Sequence, residues 1–132
     1  MIADTSAWIE WLRASGSPED LRMQKALRND ETILLPEVVY REVLQAAASV
    51  RHLMELQAIL DDMEHYVSDD PMQLSRRASL LYARCRWQGF TVRSPNDCLV
   101  AACAIEAGEP LLARDRDFRQ IARVEPNLKL IP

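Results

Sequence analysis

The sequence predicts an α/β fold in which a small, mainly parallel sheet is flanked by helices on both faces, in three layers. Short apolar runs alternate with longer segments of helical periodicity, the pattern of strands joined by crossover helices. Helix starts are marked by Ser-Pro and Asp-Pro pairs, and two helix ends by glycine. Acidic residues follow two of the apolar runs, at the strand ends where open parallel sheets place their ligand sites. A chain of 132 residues suits one core, so a single domain over 1–132 is expected.

Residues 1–3 form an apolar strand, followed by Asp4, Thr5 and Ser6 and a helix over 7–14 with Trp8, Trp11 and Leu12 on one side. Ser17, Pro18, Glu19 and Asp20 start a second helix with a capping serine, a proline at its first position and acids in its first turn. A strand over 32–35 is closed by Pro36, and helices over 37–48 and 50–63 follow. Tyr66 and Val67 are a further short strand. Asp70 to Gln73 has the capping-box pattern and opens a helix that runs to Gln88, with Gly89 as terminator. Ser94 and Pro95 open the next helix; residues 98–107 hold one charge, Glu106, so burial almost all round is expected before Gly108 ends it. A strand over 111–113, a short helix over 117–121 and a last strand over 128–131 complete the pattern. There are no repeats or low-complexity segments.

With 48% hydrophobic and 27% charged residues the chain is expected to fold. No stretch approaches the roughly 18 apolar residues of a membrane span, and the N-terminal residues run straight into a charged helix, so a cytoplasmic location with no membrane partner is expected. The three cysteines show no Cys-x-x-Cys spacing, which points to reduced, buried thiols. A net charge of −4 argues against a protein that holds nucleic acid through a broad basic face, so any nucleic-acid role is expected to be local.

Four acids stand out. Glu42 falls among Val38, Val39, Val43 and Ala46 on one helix face, where an ionised carboxylate is costly. Asp97 shares a face with Val100, Ala101 and Ala104, though its first-turn position also suits a cap or the helix dipole. Asp4 alone reads equally as a turn residue or N-cap, and Asp115 with Asp117 as a charged loop. Together these acids can converge on one cleft, where like charges are tolerated only with protonation or a cation. Oxygen-only ligation fits Mg²⁺ or Mn²⁺, which handle phosphates and activate water.

Four segments, residues 1–9, 35–44, 91–102 and 112–118, carry in order and spacing a resemblance to the PIN-domain ribonucleases, and within them to the VapC toxins of toxin–antitoxin pairs. It covers essentially the whole chain. The resemblance implies the three-layer α/β/α fold of PIN domains and a Mg²⁺- or Mn²⁺-dependent endoribonuclease. It further implies a homodimer silenced by a cognate VapB-like antitoxin. Carried over, it makes Asp4, Glu42, Asp97 and Asp115 the catalytic acids, with Asp117 a further position that reaches the metal. Metal ligation falls to Asp4, Asp97, Asp115 and Asp117. Ser6 hydrogen-bonds within the site or caps the helix. Ala3 replaces the bulkier residue usual before the first acid, a packing difference only.

Arg93, Arg114 and Arg116 flank the acids and are candidates for RNA phosphates, with plain surface solvation as the competing reading of each. Trp8, Trp11 and Leu12 either line a groove for an antitoxin segment or pack in the core. His52 and His65 lie outside the motifs. Two other functions fit parts of the pattern: phosphotransfer through a nucleophilic Asp4 or Asp115, which leaves Glu42 unexplained, and a non-catalytic dimeric interaction module.

Overall fold

The computed structural model describes residues 1–131. Its strands are β1 (Ile2–Ala3), β2 (Leu34–Pro36), β3 (Glu64–Tyr66), β4 (Leu111–Leu112) and β5 (Leu130–Ile131). Its helices are α1 (Thr5–Leu12), α2 (Pro18–Arg28), α3 (Glu37–Gln45), α4 (Val50–Asp61), α5 (Pro71–Trp87), α6 (Pro95–Ala107) and α7 (Asp117–Val124). The strands pair in the order β3-β2-β1-β4-β5, every pair parallel.

Strand order dictates the layers. The chain steps from β1 through β2 to β3 in one direction, then returns past β1 to β4 and on to β5. With right-handed crossovers, α1–α4 cover one face and α5–α7 the other. Packing follows that division: α1 meets α2 and α3, α3 meets α4, and α5 meets α6 and α7. Helix α3 also packs against α6, so the two layers touch beyond the sheet. This is the three-layer arrangement the sequence predicts.

Local signals explain most boundaries. The Ser17 hydroxyl accepts from the Asp20 amide, and the Asp70 carboxylate from the Gln73 amide. Gly108 ends α6 in the left-handed region, φ +67°, where a glycine carries no Cβ penalty. Ser94 stands at the N-cap of α6 but makes no capping hydrogen bond through its side chain. Helix α3 stops at Gln45, short of the expected Ala48, because Ser49 takes an extended backbone and uses its hydroxyl to cap α4 through the His52 amide. Strand β3 lies earlier than Tyr66 and Val67 alone predict, since it is an edge strand with Glu64 and His65 exposed. Helix α7 continues beyond Ile121 because Phe118, Ile121 and Val124 form one buried stripe.

The core lies around the central strands, with Ile2, Leu35, Leu111, Leu112, Val39, Val43, Phe118 and Ile121 buried. Trp8 is wholly buried and meets Trp11 edge-on at 5.7 Å, so it packs in the core and lines no groove, while Trp11 and Leu12 are half-buried. All three cysteines are free and buried. Burial pushes the thiols of Cys98 and Cys103 up to about 12, which removes them as nucleophiles at neutral pH. No helix among the described residues is long and apolar enough to cross a membrane.

Candidate active site

Between β1 and β4 the chain departs towards opposite edges of the sheet, and such a switch point opens a crevice at the strand carboxyl ends. Asp4 leaves β1 there, its amide bonded to the Leu112 carbonyl at 2.8 Å. Its carboxylate caps α1, accepting from the Ser6 amide at 3.1 Å and the Ser6 hydroxyl at 2.7 Å. Capping and a place at the crevice are therefore the same fact for Asp4. The Ser6 oxygen in turn accepts the Arg114 amide at 3.0 Å, tying α1 to the loop after β4.

That loop carries Asp115, whose Oδ1 accepts from the Asp117 amide at the start of α7. Helix α6 brings Asp97 from the opposite direction on its first turn. Asp97, Asp115 and Asp117 each offer a carboxylate oxygen, all within 4.8 Å of one another. Glu42 enters from α3, half-buried, and accepts from the Thr5 hydroxyl at 3.1 Å. It sits at the margin of the apolar stripe of Val38, Val39 and Val43, because Ala46, the C-cap of α3, is exposed.

Burial lifts the Asp97 carboxyl to about 7, reinforced by the negative fields of Asp4, Asp115, Asp117 and Glu42. Four acids from three other segments therefore act on Asp97. Burial also raises Asp4, with Glu42 adding to the shift, while its hydrogen bonds from Ser6 and Thr5 pull the other way. Asp4, Asp97 and Asp117 are all buried, which makes the mutual repulsion costly.

The arginines are placed differently from one another. Arg93 lies on the acids: its amide and Nε donate to Asp117 at 3.1 Å each, and its Nη2 to Asp115 at 2.9 Å. Arg114 sends its guanidinium away to Glu10 at 2.7 Å, so only its backbone faces the crevice. Arg116 stands exposed at the N-cap of α7. Thr5 and Glu10 are contributors the sequence did not single out. Thr5 lay between two residues that it did, while nothing in the pattern pairs Glu10 with an arginine 104 positions on. His52 and His65 lie elsewhere, bonded to the Ala48 amide and the Leu60 carbonyl.

Convergent carboxylate oxygens have the donor chemistry of a hard divalent-cation site, and the Arg93 guanidinium donates to two of them, Asp115 Oδ1 and Asp117 Oδ2. The family described as PIN domain matches residues 1–124. The VapC ribonuclease Mb1587 of Mycobacterium bovis and the ribonuclease VapC11 of Mycobacterium tuberculosis are each 35% identical over 125 residues, covering 94% of this chain and 92% of theirs. Among solved structures, VapBC2 from Rickettsia felis, bound to a DNA fragment from its promoter, superposes with a TM-score of 0.74 at 18% identity over 98% of this chain and 96% of that one. FitAcB from Neisseria gonorrhoeae superposes with a TM-score of 0.65 at 13% identity, over 99% and 96%. The chain belongs to the PIN-domain family and, within it, groups with the VapC members.

Proposed function

We propose that this chain is a divalent-cation-dependent endoribonuclease, the toxin of a type II toxin–antitoxin pair. The observation that carries the reading is the crevice in which Asp97, Asp115 and Asp117 bring carboxylate oxygens within 4.8 Å of one another. The 35% identity to relatives named as ribonucleases supplies the reaction class. Asp4, Asp97, Asp115 and Asp117 would hold Mg²⁺ or Mn²⁺. When bound, such an ion supplies a Lewis-acid centre that makes water a better nucleophile and offsets phosphate charge.

The chain's own residues do the rest. Glu42, one oxygen fixed by Thr5, orients the attacking water and takes up its proton. Arg93 and Arg116 present guanidinium groups to the phosphates on either side of the scissile bond. Ser6 and Arg114 act through position, holding Asp4 and the Asp115 loop in register. A cognate VapB-like antitoxin and a homodimer belong to the same family reading, as does a cytoplasmic site of action.

Incubation of the purified chain with total RNA tests the proposal. Cleavage is expected with Mg²⁺ or Mn²⁺, none with EDTA, and a loss of about 10²-fold or more in Asp4→Ala and Asp97→Asn, given what a misplaced catalytic ion or charge costs. Circular dichroism should show both variants folded. Cleavage that persists in EDTA, or an Asp97→Asn variant as active as the parent, would sink it; radiolabel transferred from a small phosphodonor onto Asp4 or Asp115 would favour phosphotransfer instead.

A further inference from the structure

Charge is segregated between the two helical layers. Residues 71–124, which form α5–α7 and the segments between them, hold nine arginines and five acids, a net of +4. The rest of the chain holds seven cationic residues against fifteen acids, a net of −8. The overall −4 therefore conceals a cationic layer. Three of that layer's five acids, Asp97, Asp115 and Asp117, are gathered in the crevice, so the arginines beyond it dominate their surroundings.

Helix α7 organises part of this charge. Arg116, Arg119 and Arg123 are all exposed and, at about 100° per residue, fall within a ~60° arc on the side opposite Phe118, Ile121 and Val124. None of the three forms an ion pair with an acid among the described residues. The stripe begins beside Asp115 and Asp117 and runs the length of the helix. At its far end the Arg123 guanidinium lies over the Phe90 ring, 5.9 Å from the centroid. Three residues before Phe90 stands Trp87, 68% exposed on the last turn of α5, which packs against α7. An exposed indole three residues from the ring that Arg123 covers, together with a line of unpaired guanidinium groups, offers the two chemistries that hold single-stranded nucleic acid, a face for a base and phosphate neutralisation.

We propose that the outer face of α7, with Trp87 and Phe90 at its far end, is a track for single-stranded RNA leading out of the acid crevice. The inference rests on the reading of that crevice as an RNA-cleaving centre, and adds the route by which a strand several nucleotides long is held. Arg116, Arg119 and Arg123 contact successive phosphates, and a base stacks on Trp87. Double-stranded RNA is disfavoured, since its bases are already stacked and offer Trp87 no face.

The test measures binding by fluorescence anisotropy, with a labelled mixed-sequence single strand of roughly 20 nucleotides, ample for one such track. EDTA is present, so that cation-dependent cleavage is off. The double variant Arg119→Glu/Arg123→Glu should bind about tenfold more weakly, with a log–log salt slope shallower by about 1.4 for two lost phosphate contacts. The charge-matched Arg13→Glu/Arg28→Glu, changed on the acidic layer, should stay within about twofold if the contact is local rather than diffuse. Trp87→Ala should lose about tenfold, and Trp87→Phe should recover most of it. Equal losses in the two double variants, or none in the first, would overturn the track. So would a duplex binding as tightly as the single strand, or a short polyglutamate peptide displacing RNA through the same arginines. Track-dependent binding in a chain that cleaves no RNA with any divalent cation would refute the nuclease reading alone and leave the track standing.

Discussion

Asp97 combines two properties that oppose each other: a charge, and a place on a helix where Cys98, Val100, Ala101, Ala102, Cys103 and Ala104 are buried. The first-turn position offers some dipole compensation, but burial and four neighbouring acids outweigh it and lift the carboxyl to about 7. A carboxyl whose folded-state pKa is raised binds its proton more tightly in the native than in the unfolded chain. Its destabilising contribution is absent below about pH 4 and complete once the pH has passed about 7. Asp97→Asn removes the charge at constant shape. In metal-free buffer at pH 8 it should raise the melting temperature by roughly 3–5 °C, what ~1 kcal/mol left after solvent screening is worth for a domain of this size. At pH 4 the gain should vanish. A variant stabilised equally at both pH values would show that Asp97 carries no electrostatic penalty.

At the level of elements, the site is a meeting of α1, α3, α6 and the loop after β4, and its legibility varied with the range of the contacts involved. The strand–acid sequence at Asp4 and the polar residue in an apolar helix at Asp97 are local patterns, and the structure sets both residues beside the β1–β4 switch point. The Thr5–Glu42 hydrogen bond and the Glu10–Arg114 ion pair join residues far apart in the chain, and no periodicity encodes such pairs. Ser94 shows the converse: a local capping pattern was read correctly as a helix start, yet the hydroxyl is not used as a cap. Ser6 is the link on which the arrangement of elements turns, because one oxygen donates to Asp4 and accepts from Arg114. Ser6→Ala removes both bonds at the cost of about 1 kcal/mol each, and leaves the Asp115 loop tied to α1 only through the Arg114–Glu10 ion pair. Mn²⁺ affinity by calorimetry should fall about 10-fold, as loss of a residue supporting a metal ligand typically costs 10–100-fold, with circular dichroism unchanged. Unaltered Mn²⁺ binding would mean that the loop is held without this serine.

For the whole molecule, the governing feature is the strand order, which sets β1 beside β4 and so brings Asp4 into the field of Asp97, at the crevice where Asp97, Asp115 and Asp117 converge. Parallel strands and right-handed crossovers were readable from the alternation of elements, but the order in which strands pair was not, because each apolar run is compatible with several neighbours. Convergence, offset in part by Arg93 on Asp115 and Asp117, makes the folded chain a store of repulsion that a bound cation would relieve further. A ligand bound only by the native state stabilises it by RT ln(1 + [L]/Kd), about 2.7 kcal/mol at a hundredfold excess over Kd. That gain must depend on pH. At pH 5 the Asp97 carboxyl, lifted to about 7, is mostly protonated and has to lose its proton before it can hold an ion. At pH 8 it is already charged, and the metal-free protein is at its least favourable with respect to this group. Mg²⁺ or Mn²⁺ should therefore raise the melting temperature by several degrees at pH 8, on the order of 3–5 °C per kcal/mol gained, and by much less at pH 5. Ca²⁺-free buffer and an EDTA reversal fix the cause. An ion-induced shift that is larger at pH 5 than at pH 8 would contradict this pH dependence, and with it the assignment of Asp97 to the cation.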